Sequence, residues 1–102
     1  MASPAKATRG TDALIDVRTP PHSVEAEQAV LGGLMLDASA WDNVADVLRA
    51  EDFYRPDHRL IFNAIGALAQ EGKPVDVVTV SEQLERTREL EAAGGLAYLG
   101  AL

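Results

Sequence analysis

The chain has 102 residues, 47% of them apolar, and no cysteine, which suits one small packed domain and excludes a disulfide framework or a thiolate metal site. No apolar run approaches the roughly 20 residues that span a bilayer, and the opening MASPAKATRG lacks the apolar stretch of a signal peptide, so a soluble, cytoplasmic protein without membrane partners is expected. The net charge of −7 is uneven, because Lys6, Arg9 and Arg18 against Asp12 and Asp16 give residues 1–21 a balance of +1 and leave −8 on residues 22–102; such an acidic body opposes phosphate binding, and little or no direct DNA binding is expected.

Residues 1–21 are rich in Ala, Ser, Thr and Pro and end at Pro20 and Pro21, which predicts a flexible tail ahead of a helical domain over 22–102. Ser23 stands where an N-cap belongs, with Glu25 and Glu27 in the first turn where a helix dipole favours carboxylates, so a helix is predicted over about Val24 to Leu36. Its apolar residues Ala26, Val30, Leu31, Leu34 and Met35 cover a broad face, which places it centrally. Gly32 and Gly33 lie inside it. Each costs up to about 1 kcal/mol relative to Ala, so they mark helix packing where another backbone comes close, or else a kink.

Asp37 can cap a shorter helix through Trp41, Val44, Val47 and Leu48, with Trp41 as a core anchor. Phe53 and Tyr54 fall in the next connection. The clearest period in the chain predicts a third helix over about Pro56 to Glu71, with Leu60, Ile61, Ala64, Ile65 and Leu68 on one stripe and Arg59, Asn63 and Gln70 away from it; Gly72 is its natural stop. Val75 to Val80 is β-branched, but with no second strand to pair with it reads as an extended connection. Thr79 and Glu82 then have capping-box spacing, so a helix is predicted from Val80 to about Thr87, supported by a Glu82–Arg86 pair. Gly94 and Gly95 break the chain before a last amphipathic segment, Leu96 to Leu102. The expected fold is all-α, a compact orthogonal bundle of five to six short helices.

Catalytic patterns are missing from this order. Gly72-Lys73 fails as a phosphate loop twice, since Ala67 stands where the motif needs glycine and Pro74 where it needs a hydroxyl. His22 and His58 belong to no tight ligand set, which predicts no metal site; His22 reads as a helix-entry residue and His58 as a first-turn surface or satisfied core residue. No nucleophile has a local base, so no catalytic residue and no cofactor are expected.

The stretch PPHSVEAEQAVLGGLMLD, from Pro20 to Asp37, resembles the opening of the bacterial replicative DNA helicase family known as DnaB. EDFYRPDHRLIFNAI resembles that family's second block, and KPVDVVTVSEQL with GGLAYL its third, in the same order over about residues 20–102. The resemblance implies a non-catalytic N-terminal domain, truncated before a helical hairpin, a linker and the RecA-like ATPase domain that holds ATP and magnesium. It implies self-association as dimers within a hexamer, and docking of the helicase-binding domain at the C-terminus of primase, with Glu25 and Tyr98 at that contact. The same two residues also read as a dipole-compensating acid and as a core aromatic whose hydroxyl reaches the surface. Rival readings are the primase's own helicase-binding helical domain, which the VEAEQAVLGGLML opening disfavours, and a small helical nucleic-acid-binding module, which the acidic body disfavours.

Overall fold

The computed structural model describes residues 23–102; the expected tail and His22 lie outside the described residues. Five α-helices follow one another as α1 (Val24–Leu36), α2 (Trp41–Val44), α3 (Pro56–Gln70), α4 (Val77–Arg86) and α5 (Gly95–Ala101), with 3-10 turns at Ala38–Ala40 and Ala50–Asp52. No strand occurs among the described residues, so the all-α expectation holds.

Local chemistry explains most of the boundaries. Ser23 Oγ accepts from the Ala26 N–H at 3.1 Å and opens α1. Pro56 occupies the first turn of α3, where its missing N–H costs nothing. At the other end Gly72 takes φ +71°, and the Lys73 N–H closes back on the Leu68 carbonyl at 2.9 Å. Helix α4 closes in the same way, though with Arg88 rather than glycine at φ 61° and the Glu89 N–H on the Leu84 carbonyl at 2.7 Å.

Two elements depart from the sequence-based expectation. Asp37 does act as a cap, but of the turn Ala38–Ala40, accepting from Ser39 N at 3.1 Å; α2 then ends at Val44 instead of running on to Leu48. Ending there leaves Val47 exposed and lets the chain turn back so that Phe53 packs on Phe62, with ring centroids 4.9 Å apart. Helix α4 begins three residues before the expected Val80. Its cap is Asp76, whose Oδ1 accepts from Thr79 N at 2.9 Å while Thr79 Oγ1 accepts from Asp76 N at 2.9 Å. Thr79 is therefore the third residue of the helix and not its cap, and reciprocal side-chain bonds overcome the β-branched run Val77–Val78. Arg86 bonds Gln83 rather than Glu82.

Helix α3 is the centre, touching α1, α4 and the Ala50–Asp52 turn. Leu31 and Leu34 of α1, Ile61 and Ile65 of α3, Val80 and Leu84 of α4 and Leu99 of α5 are fully buried together. Phe62 belongs to this core, whereas Leu60 and Val30 pack at its margin and Ala26 is exposed. Arg59, Asn63 and Gln70 face out. Burial of each large apolar side chain contributes about 1.5–3 kcal/mol, and that sum holds helices as short as α2 and α5, which could not persist alone.

Candidate functional site

Among the described residues the buried charge-bearing side chains come from two helices, α1 and α3. Position 27 falls on the α1 stripe that buries Leu31, Leu34 and Met35, and position 58 on the α3 stripe that buries Ile61, Ile65 and Leu68, so the fold drives a carboxylate and an imidazole into its core. Neither was singled out from the sequence as a site, although a polar residue on an apolar stripe is the signal that would find them.

Glu27 Oε1 lies 2.7 Å from His58 Nδ1, and His58 Nε2 lies 2.7 Å from the Tyr98 hydroxyl, which also accepts from Gln28 Nε2 at 3.1 Å. The His58 and Tyr98 rings stack with centroids 6.0 Å apart. The other Glu27 oxygen accepts from the Tyr54 N–H at 2.6 Å, just ahead of α3. Burial pushes the Glu27 carboxyl up, but the Tyr54 N–H, the His58 ring and the Arg55 N–H together outweigh burial and hold it below its ordinary range. Arg55 grips Asp57 through Nε and Nη2 at 3.0 and 2.7 Å and sits 5.8 Å over the Tyr98 ring. Asp57 is likewise pushed up by burial and brought below its ordinary range by the Arg55 bonds and the His58 backbone N–H.

His58, with no exposed surface, is a satisfied core residue. Tyr98 is half-buried, its hydroxyl engaged inside this chain of bonds and its ring at the surface of α5. Glu25 is exposed on α1, one turn before Gln28, and makes no hydrogen bond to Tyr98; the carboxylate linked to that phenol is Glu27, through His58. At Gly32 an added Cβ would come within 2.9 Å of the Leu102 backbone, whereas at Gly33 it would meet no described atom within 4 Å. Close backbone approach is thus a property of Gly32. Beside it an open groove of about 340 Å³ is lined by Met35, Leu36, Val78, Leu99 and Leu102, and Leu36 and Val78 expose 91% and 61% of their surface. Among the described residues no group of three or more His, Asp or Glu is placed to hold a metal ion, and no helix is long and apolar enough to cross a membrane.

Comparison with known proteins places this arrangement. The family model for the DnaB-like helicase N-terminal domain matches residues 19–102. The replicative DNA helicase DnaB of Buchnera aphidicola subsp. Schizaphis graminum is 49% identical over 86 residues, which cover 84% of this chain and 18% of that protein. That of Geobacillus stearothermophilus is 47% identical over 89 residues, covering 87% and 20%. The crystal structure of the N-terminal domain of DnaB helicase from Mycobacterium tuberculosis superposes with a TM-score of 0.77 at 43% identity, over 81% of this chain and 60% of that one. The chain spans 18–20% of the length of these two helicases.

Proposed function

The chain belongs to the DnaB-like helicase N-terminal domain family, and from that premise we propose that it serves as a non-catalytic assembly and docking module of a hexameric replicative helicase. Self-association, as dimers within the hexamer, is one half of the role. Receiving the helicase-binding domain at the C-terminus of primase is the other, and unwinding driven by ATP and magnesium resides outside residues 23–102.

The observation that carries this reading is how polar and apolar groups are divided. The buried titratable residues satisfy one another inside the protein, with His58 bonded at both ring nitrogens, which is the pattern of a structural network. Apolar surface, by contrast, is left open at Leu36 and Val78, at a groove where the backbones at Gly32 and Leu102 meet. Exposed apolar surface of this kind supports protein contact. The acidic body supports a protein partner over nucleic acid, since it supplies no basic stripe for phosphates.

Mass in solution, measured with and without primase's C-terminal domain, tests assembly and docking together. Substitution of Glu25 or Tyr98 by Ala in the intact helicase, followed by primase titration, tests the contact; unchanged affinity with retained folding removes that residue from it. Tight, salt-sensitive binding to single-stranded DNA, or ATP turnover by this chain, would overturn the reading.

A further inference from the structure

The hydrogen atoms in the buried chain from Gln28 to Glu27 can run in only one direction when the imidazole is neutral. Glu27 as a carboxylate can only accept, so the His58 Nδ1, 2.7 Å away, must donate to it. That leaves Nε2 with a lone pair. Gln28 Nε2 donates to the Tyr98 oxygen at 3.1 Å, and the phenol hydrogen then has the His58 Nε2 lone pair at 2.7 Å as its acceptor. Every donor and acceptor is matched in this state, with the proton of the ring on Nδ1.

Helix α5, which carries Tyr98, has seven residues and opens on two glycines, with Gly94 as its cap at φ +104° and Gly95 as its first residue at φ +82°. A helix of that length has no stability of its own. Leu99 anchors it in the core, and Tyr98 ties it by hydrogen bonds to both α1 and α3.

We infer that Glu27 and His58 are positioning residues for Tyr98: they fix its phenol hydrogen inward and seat α5 against α1 and α3, so that an incoming partner meets a phenol able to accept but not to donate a hydrogen bond. The matching partner chemistry is a donor, such as a Lys or Arg side chain or a free backbone N–H. This consequence for docking rests on the functional reading of Tyr98 above, whereas the positioning rests on the bond geometry alone.

Two measurements on the 102-residue chain test it. Nitrogen-15 spectra of the imidazole should show the His58 ring proton on Nδ1 with Nε2 as an acceptor; a proton on Nε2 would turn the phenol hydrogen outward and overturn the proposal. Amide hydrogen exchange is then followed in Glu27→Gln, Tyr98→Phe and the double variant. A neutral amide offers one oxygen where Glu27 offers two, so it cannot serve both Tyr54 and His58. Glu27→Gln should speed exchange at Leu99 to Ala101 about fivefold, one hydrogen bond's worth of protection, and Tyr98→Phe, which also loses the Gln28 bond, up to about thirtyfold. The double variant should exchange no faster than Tyr98→Phe, because both changes cut the same chain. Full additivity would mean that Glu27 merely holds the Tyr54–Arg55 turn, which overturns the inference. Should Glu27→Gln not fold, Tyr98→Phe decides the matter by itself: an unmoved His58 Nε2 resonance would sink the proposal, and a shifted one supports it. If Tyr98→Ala leaves primase affinity unchanged, the docking reading fails while these two measurements still judge the positioning.

Discussion

Gly66 sits mid-helix in α3, where an added Cβ would lie 2.8 Å from Trp41 Cη2 and 3.1 Å from Cζ2. Two effects oppose each other in Gly66→Ala. Removing a helix-interior glycine gains about 1 kcal/mol where nothing obstructs the methyl group. Relaxed carbon contacts need about 3.5–4.0 Å, however, so the indole must retreat, and its ring is held against Phe62 at a centroid distance of 5.2 Å. Such overpacking costs about 1–3 kcal/mol. The net expectation is a loss of about 1 kcal/mol, or a fall in Tm of about 4–8 °C for a domain of this size. Gly33→Ala is the matched control, since it meets no described atom within 4 Å and should gain about 0.5–1 kcal/mol. Trp41 is the only tryptophan in the chain, so its emission reports the displacement during the same melt. If Gly66→Ala melts at or above the parent with unshifted emission, the indole is not a fixed wall and the reasoning fails.

Asp76→Ala should lower stability by about 1 kcal/mol in urea titrations, because the Thr79 N–H loses its acceptor at the start of α4; an unchanged midpoint would show that the Thr79 half of the box suffices. Glu27 and Asp57 are both held below the ordinary carboxylate range, so their stabilisation is complete above the unfolded-state pKa and is lost as pH falls through the lowered folded values. Urea midpoints should therefore decline from about pH 4 downward, and Glu27→Gln should flatten part of that decline. A parent midpoint constant from about pH 5 to pH 3 would contradict this. Gly94→Ala combines a left-handed φ of +104° with a Cβ 2.8 Å from the Tyr98 ring, so it should loosen α5 and destabilise by about 1–3 kcal/mol; calorimetry showing no change would refute the strain.

The helices easiest to read in the sequence carry their own punctuation. Ser23 before α1, Pro56 opening α3 and Gly72 closing it are short-range signals, and the structure uses each one. The start of α4 was harder, because two capping boxes overlap: Thr79 with Glu82 looks the better match, yet Asp76 with Thr79 forms the bonds. Capping the helix at Asp76 also packs Val77 against the core, and that is tertiary information. The truncation of α2 has the same origin, in Phe53 reaching Phe62. As for the site, Tyr98 could be picked out by resemblance, but its partners could not. Glu27 looked like a first-turn acid and His58 like one of two scattered histidines. What joins them is that 27 and 58 fall on buried stripes of two helices that the fold sets face to face, a relation no local pattern contains.

Helix α1 hides Leu31, Leu34 and Met35 in a core centred on α3, and its buried carboxylate finds its imidazole 31 positions later. During translation α1 therefore emerges from the ribosome ahead of the helix that covers it. At bacterial elongation rates, the stretch from Leu36 to the end of α3 takes about 2–7 s to make. For that interval the nascent chain presents a bare greasy strip, the kind of surface on which chaperones act.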